Sequence, residues 1–284
     1  MKSVFAIPHY CRRDGIGSAR YGSQCHGPAQ RGHALANTVL GLHQLFGQQQ
    51  AMIQVGQRKT IPANQSMSHP LRVFVVTIGG EHALNEAHLP ADTYRHVEVT
   101  AEPSELGFHC HRVLAEQGRD ADYVCYMEDD LVIRDAWWFE KLRWFNGHLG
   151  NQCLLLPNRY EISSTGVYKK CYLDGDLSPG VTAKFQNVHE QPHLYGKALG
   201  RTVRFSRPLN PHAGCFFLNR DQVKHWTHLP QFGESRSDFI GPLESAATRS
   251  LMQAFRIYKP APENASLLEI EHQGEQFIRK VRGP

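Results

Sequence analysis

Residues 123–133 read YVCYMEDDLVI, and this stretch decides the expected fold. It opens with five uncharged residues, as is typical of a buried strand, and continues with three consecutive carboxylates, Glu128, Asp129 and Asp130. In open α/β sheets, ligands bind where the strands end. Partly buried carboxylates repel one another, and a divalent cation that prefers oxygen ligands, Mn²⁺ or Mg²⁺, relieves that repulsion. The alternative is a solvated acidic turn.

The chain before residue 150 alternates between strand-like and helix-like segments. Strand-like runs and apolar residues at helical spacing follow one another at 4–7, 35–46, 71–78, 97–99, 106–114 and 137–145. This alternation predicts an α/β fold with a mostly parallel central sheet flanked by helices. Beyond residue 150, long polar connections separate the strand-like runs, so the second half is expected to be smaller and mixed.

The composition argues against several classes of protein. The chain has 284 residues and a net charge of +4, which is too weak for the basic face of a nucleic-acid-binding protein. No run approaches the roughly 18 apolar residues of a membrane span, and the N-terminal apolar run is too short for a signal peptide. Seven cysteines without a Cys-x-x-Cys pair argue against a structural zinc site and a disulfide framework, so a reducing, cytoplasmic location is expected.

The stretch at 123–133 resembles the Asp-x-Asp segment of glycosyltransferases of the GT-A fold, the nucleotide-diphospho-sugar transferase superfamily. Its Glu-Asp-Asp form resembles the variant of some N-acetylglucosaminyltransferases. The resemblance implies one GT-A domain over residues 1–284, with a nucleotide-binding half at 1–133 and an acceptor and donor-sugar half at 134–284. It implies that Asp130 binds the Mn²⁺ or Mg²⁺ ion, and that Glu128 and Asp129 face the nucleotide ribose or metal-bound water.

Other segments resemble the donor-binding parts of the same fold. After the first strand, Tyr10 is expected to stack on the base, and Arg12 or Arg13 to meet phosphate. Arg112, on the helix before the acidic stretch, is expected near the nucleotide. Gly214 is expected to allow close approach of the donor sugar. The alternatives are a surface position for Arg112 and an ordinary core strand after Gly214.

Two carboxylates and a histidine in the second half complete the expected site. Glu244 is the first candidate for the general base that takes the proton of the acceptor hydroxyl, and Asp238 is the second. Either acid is equally typical of the first turn of a helix. His272 is expected to be an additional metal ligand, with an ordinary surface histidine as the alternative. The glycine-rich stretch between residues 9 and 28 matches no ATP-binding or dinucleotide-binding pattern and is expected to order over bound donor.

The predicted function is metal-dependent transfer of a sugar from a nucleotide-diphosphate sugar to a saccharide or other hydroxyl acceptor. The expected type is a hexosyltransferase or N-acetylhexosaminyltransferase, and two candidate bases favour inversion. The alternatives are a nucleotidyltransferase that makes nucleotide sugars, and a non-catalytic protein that binds a saccharide or nucleotide. A metallohydrolase is disfavoured because the closest histidine pair, His109 and His111, does not share a helix face.

Overall fold

The computed structural model describes residues 1–12 and 27–281 of the chain. In chain order, the strands are β1 (Ser3–Pro8), β2 (Ala51–Gln54), β3 (Lys59–Pro62), β4 (Leu71–Ile78), β5 (Arg95–Val99), β6 (Tyr123–Met127), β7 (Leu131–Val132), β8 (Cys153–Leu155), β9 (Asn158–Ile162), β10 (Lys170–Tyr172), β11 (His193–Ala198), β12 (Arg201–Ser206), β13 (Cys215–Asn219), β14 (Arg256–Pro260) and β15 (Glu269–His272). The α-helices are α1 (Pro28–Phe46), α2 (Leu84–Ala87), α3 (Leu106–Gln117), α4 (Trp138–Leu149), α5 (Pro179–Thr182), α6 (Arg220–Thr227), α7 (Pro242–Glu244) and α8 (Ser250–Ala254). A π-helical turn, Ser245–Arg249, joins α7 to α8.

The central sheet has the strand order β13-β6-β1-β4-β5. Strand β1 is parallel to both β4 and β6, β4 is parallel to β5, and only β13 runs antiparallel to its neighbour β6. Every residue of β1 is buried, as expected for a parallel strand covered on both faces. The predicted α/β fold with a mostly parallel central sheet is therefore confirmed.

Two smaller sheets make up most of the second half, with the orders β10-β9-β15-β7 and β11-β12-β14-β8. Both are mixed, since β15 is parallel to β9 and antiparallel to β7, and β14 is parallel to β8 and antiparallel to β12. The register of β15 on β7 sets His272 opposite Leu131. This pairing carries β15 to the end of β6.

An aromatic cluster ties helices α1 and α4 to the central sheet. Phe139 of α4 packs edge-on against Phe5 of β1 and Phe217 of β13, with ring centroids 6.4 and 6.3 Å apart. Phe46 of α1 meets the same Phe139 ring at 4.9 Å. Such edge-to-face pairs add to the hydrophobic stabilisation of the buried rings. The cluster fixes α1, which carries the side chains of Arg31 and Thr38 to the end of β6.

Three expectations concern features outside this core. Within residues 1–12 and 27–281, no helix has the length and apolarity needed to cross a bilayer. Among the described residues, Cys110, Cys125, Cys153, Cys171 and Cys215 form no disulfide. Cys25, Arg13 and most of the glycine-rich stretch that was expected to order over donor lie outside the described residues.

Candidate functional site

Three elements hold the backbone of the acidic triplet, residues 128–130, at the carboxyl end of β6. The N–H of its first residue donates to the carbonyl oxygen of Gly214, just before β13, at 2.9 Å. Oγ1 of Thr38, on α1, donates to the carbonyl oxygen of its second residue at 3.0 Å. The N–H of Gln273, after β15, donates to the carbonyl oxygen of its third residue at 2.8 Å. The direction of each carboxylate is therefore fixed by tertiary contacts.

Asp129 is turned into the protein. Its carboxylate accepts hydrogen bonds from Nδ1 of His9 and from the guanidinium of Arg31, which reaches both oxygens. The other ring nitrogen of His9, Nε2, accepts the backbone N–H of Ala83 at 3.0 Å, so the proton sits on Nδ1. Burial alone would raise the pKa of Asp129, but Arg31 and His9 outweigh it and lower that pKa. Asp129 is thus an ionised internal anchor.

Asp130 and His272, both predicted metal ligands, lie side by side. Oδ2 of Asp130 is 3.8 Å from Nε2 of His272 and 3.6 Å from Nη1 of Arg31. Oδ1 of Asp130 is buried and has no hydrogen-bond partner among the described residues. The structure therefore brings together a carboxylate and an imidazole that are far apart in sequence, with one carboxylate oxygen left unpaired.

Glu161, at the end of β9, orients the ring of His272. It accepts hydrogen bonds from Nδ1 of His272 at 2.9 Å and from the backbone N–H groups of Phe277 at 2.9 Å and Ile278 at 2.7 Å. Burial would raise the pKa of Glu161, but these donors lower it, so Glu161 is ionised and accepts only. Nδ1 of His272 must then donate, which points Nε2 toward Asp130.

The carboxylates next to His272 favour its protonated, positively charged form. Burial would lower the pKa of His272, but the carboxylates of Asp130 and Glu161 outweigh it and raise that pKa. A ring held by a carboxylate at one nitrogen, with the other nitrogen facing a second carboxylate, is the usual arrangement of a metal-binding histidine. A cation that binds at Nε2 would take the place of the proton there.

Glu128 is buried without a strong partner. Nη1 of Arg159 is 3.9 Å from its Oε2, Nε2 of His212 is 3.9 Å from its Oε1, and Oε1 has no hydrogen bond within the part of the chain that the structure describes. Burial raises the pKa of Glu128 to about 8, with Arg159 acting against the shift and Asp130 and Glu244 adding to it. Glu128 therefore holds a proton at neutral pH.

Gly214 supports the side chain of Glu128 by its lack of a Cβ atom. Its φ of +63° lies in the left-handed region, and an added Cβ would fall 2.7 Å from Oε2 of Glu128. Both the backbone conformation and the space require glycine at this position. The residue predicted to line a donor pocket is in direct contact with the acidic triplet.

A buried ionic network extends from Glu128, and sequence reasoning missed most of it. Arg159 donates through Nη2 to Asp174 at 2.7 Å, and Nζ of Lys259 lies 3.0 Å from the same carboxylate. Burial would raise the pKa of Asp174, but Arg159 and Lys259 lower it strongly. Burial lowers the pKa of Lys259. Lys259 follows Ile257 and Tyr258 in β14, and this position after two apolar residues is a local sequence signal for the network.

The two candidate bases have different surroundings. Oε2 of Glu244 is buried with no hydrogen bond from any described residue, and its charge helps to raise the pKa of Glu128. Asp238 is exposed, and its carboxylate accepts a hydrogen bond from Nε of Arg249. Glu244 thus shares the electrostatic environment of the acidic triplet, whereas Asp238 is neutralised by an arginine.

Among the described residues, Tyr10, Arg12 and Arg112 form no hydrogen bond or ion pair with the side chains of the acidic triplet. Tyr10 is half-buried, and burial together with a hydrogen bond to Glu81 raises its pKa to about 12. Arg12 is exposed after β1, and Arg112 is exposed on α3. Over residues 1–12 and 27–281, neither arginine forms an ion pair with an acidic residue of the triplet. His9 and Arg31 contact it instead, and neither was predicted.

A search of protein-family models and of curated proteins found no match to the chain. Among solved structures, S. aureus TarS 1–349 in complex with UDP-GlcNAc is similar over 100% of this chain and 62% of its own, with a TM-score of 0.45 and 10% identity. The galactosyltransferase LgtC, in complex with donor and acceptor sugar analogs, is similar over 91% of this chain and 73% of its own, with a TM-score of 0.39 and 15% identity. The CMP:2-keto-3-deoxy-manno-octonic acid synthetase complexed with CTP is similar over 92% of each chain, with a TM-score of 0.37 and 14% identity.

The chain spans 58% and 35% of the length of two further S. aureus TarS structures to which it is similar. At these TM-scores and identities, the function of the chain has to be derived from its own side chains. These structural neighbours are the galactosyltransferase LgtC, a synthetase complexed with CTP, and TarS in complex with UDP-GlcNAc.

Proposed function

We propose that the chain is a metal-dependent glycosyltransferase that moves a sugar from a nucleotide-diphosphate sugar to a hydroxyl acceptor. The observation that carries the proposal is the pair formed by Asp130 and His272, in which Nε2 lies 3.8 Å from Oδ2. Glu161 holds the far side of the imidazole. This pair lies at the carboxyl end of β6, where ligands of α/β sheets bind.

The residues present fit a divalent cation. Oδ1 of Asp130 is buried without a hydrogen-bond partner among residues 1–12 and 27–281, and a cation would provide one. Two protein ligands suit Mn²⁺ or Mg²⁺, which in phosphate-binding sites keep waters and substrate oxygens in their remaining positions. Such an ion, when bound, would neutralise charge on the departing diphosphate.

Arg31 and Glu128 keep the charge of the acidic triplet compatible with an anionic donor. Arg31 is buried beside Asp129 and 3.6 Å from Asp130, so it offsets one carboxylate of the pair. Glu128, with a pKa of about 8, adds no negative charge at neutral pH and has a proton to donate to a ribose hydroxyl. We therefore propose Glu128 for the ribose contact and a positioning role for Asp129, because both oxygens of Asp129 are hydrogen-bonded within the protein.

Glu244 is the proposed general base. Its unpaired, buried Oε2 has no competing hydrogen-bond donor among the described residues, so it is available to an acceptor hydroxyl. Asp238 would first have to give up its ion pair with Arg249. A base separate from the residues that hold the diphosphate supports an inverting reaction. The Glu-Asp-Asp form of the motif supports a hexosyl or N-acetylhexosaminyl donor.

Four further residues remain proposed donor contacts. Tyr10 would stack on the base, with its hydroxyl held by Glu81. Arg12 and Arg112, both exposed, would meet the nucleotide from outside the acidic triplet. Gly214 would form the wall next to the donor sugar, since it touches Glu128 already.

A thermal-shift series with nucleoside diphosphates, with and without Mn²⁺, tests the proposal. We expect one of them to stabilise the protein only when Mn²⁺ is present, by about 2.7 kcal/mol at a ligand concentration 100-fold above its dissociation constant. Asp130→Asn should abolish the Mn²⁺-dependent part of this stabilisation. Asp92→Asn, which removes an exposed surface carboxylate, should leave the stabilisation unchanged. If no nucleoside diphosphate stabilises the protein, the proposal is wrong.

Turnover separates the proposed function from its alternatives. Mn²⁺-dependent release of the nucleoside diphosphate from a nucleotide sugar is the expected result. Pyrophosphate-dependent exchange into a nucleoside triphosphate would identify a nucleotidyltransferase instead. Nucleotide binding without either reaction would identify a non-catalytic binding protein.

A further inference from the structure

We propose that His82, His96 and Glu98 form a second metal site, which takes Zn²⁺, at the edge of the central sheet. Each of these residues offers one ligand atom, and the three atoms all lie within 4.8 Å of one another. The site shares no residue with the acidic triplet or with His272, so it goes beyond the proposed sugar transfer.

Two paired strands put the three side chains together. His96 and Glu98 are two residues apart on β5, so they project from the same face of the strand. Strand β5 ends the sheet order and pairs in parallel with β4, with Glu98 opposite Thr77. His82 follows β4 by four residues, at the end where both strands finish. Sheet pairing therefore limits how far the ligands can move apart.

A second contact fixes the ring of His96. Its Nε2 lies 2.7 Å from Oγ1 of Thr77, which is fully buried. When Nε2–H donates to Thr77, Nδ1 keeps its lone pair for a metal ion. Partners of this kind orient the histidines of metal sites and strengthen binding.

The ring of His82 meets that of His96 edge-on, with centroids 5.3 Å apart. Nδ1 of His82 also accepts the backbone N–H of Leu84 at 3.4 Å. A neutral imidazole has one lone pair, so binding a metal displaces this contact. At 3.4 Å the contact is long and costs little to lose.

The donor set selects the type of ion. Two imidazoles and one carboxylate suit Zn²⁺, which binds three protein ligands in open sites and keeps a water in the fourth position. Mg²⁺ prefers an all-oxygen shell. His96 and Glu98 are exposed and His82 is half-buried, so an ion reaches the site directly from solvent. The residue before His82, Glu81, is the hydrogen-bond partner of Tyr10, and the ion would restrain that segment.

Zinc binding by the full chain tests the proposal. Equilibrium dialysis is done with Asp130→Asn, which lacks the carboxylate of the other site, so that only one site remains to be counted. We expect one equivalent of zinc per chain, lost with His96→Ala. Thr77→Val keeps all three ligands but removes the partner of His96, and should weaken zinc binding roughly 10–100-fold. The matched control His189→Ala removes an exposed histidine elsewhere. It should bind zinc as tightly as the Asp130→Asn protein without this change.

Hydrogen exchange gives a second readout that does not depend on a substitution. Zinc should slow exchange of the amides of β5 and of residues 79–83 in the unaltered chain, because it ties these segments together. Absence of zinc binding, equal binding by His96→Ala, or protection confined to other segments would each overturn the proposal. Failure of every nucleoside diphosphate to stabilise the protein would leave this zinc result unaffected.

Discussion

Glu128→Gln should change how the stability of the protein depends on pH. The pKa of Glu128 is raised from its ordinary value of 4.5 to about 8, mainly by burial. The folded protein therefore keeps this proton to a higher pH than the unfolded chain does. Stability is full below about pH 4.5 and falls as the pH rises toward 8, because the folded state must either hold the proton or bury a charge.

The pKa difference sets the magnitude. Each unit is worth about 1.4 kcal/mol, so on the order of 5 kcal/mol of unfolding free energy should be lost between pH 4.5 and pH 9. Gln has nearly the same shape and no proton to lose. The variant should therefore equal the wild type near pH 5 and exceed its stability by several kcal/mol at pH 9.

Urea denaturation at several pH values from 5 to 9, with a chelator present, measures this difference. Subtracting the wild-type free energy from that of Glu128→Gln at each pH cancels the titration of other groups. Glu116→Gln, on the exposed side of α3, is the matched control and should give a flat difference. A flat difference for Glu128→Gln as well would mean that the buried carboxylate is already ionised, and would refute the reasoning.

Three further substitutions test the contacts around the acidic triplet. Gly214→Ala should destabilise the protein by about 1–3 kcal/mol, because its φ is +63° and the new Cβ would meet a carboxylate. Arg31→Met leaves Asp129 buried with only a neutral partner and should cost about 3–5 kcal/mol. Glu161→Gln should lower the pKa of His272, since the carboxylate that raises it is gone, and should weaken Mn²⁺ binding roughly 10–100-fold.

Chemical denaturation checks the first two predictions, and an NMR titration of the imidazole with Mn²⁺ dialysis checks the third. Gly175→Ala, where an added Cβ meets open space, and Arg119→Met, at an exposed arginine, are the matched controls. If Gly214→Ala and Arg31→Met lose no more unfolding free energy than their controls, the contacts of Gly214 and Arg31 do not stabilise the site. An unchanged histidine titration in Glu161→Gln would contradict the proposed orientation of the ring.

The sequence was most informative where a single local pattern carries the structure. The uncharged run at 123–127 has to be buried, so it predicts a strand, and the acidic residues that follow predict its end. The alternation of strand-like and helix-like segments predicted the mostly parallel sheet that β1, β4, β5 and β6 form. Both predictions depend on neighbours in the chain, and both are confirmed.

Local sequence patterns did not predict the partners of the acidic triplet. His9 and Arg31 were missed because 120 and 98 residues separate them from Asp129, and no local pattern relates positions so far apart. The chain has 17 histidines. His272, which lies beside Asp130, was predicted from a family resemblance and not from a local sequence pattern. Arg112 is exposed on α3, and its expected place near the nucleotide stays a prediction.

By itself, then, the amino-acid sequence determined that a buried strand ends in three carboxylates within an α/β fold. Only the tertiary structure decided what each carboxylate does. The charge of Arg31 and the hydrogen bonds from Arg31 and His9 keep Asp129 ionised against the effect of burial. Burial favours the protonated form of Glu128, and the register of β15 on β7 brings His272 to Asp130. The physical reason is that ionisation and metal binding depend on the surroundings of a side chain in space, which neighbours in sequence do not fix.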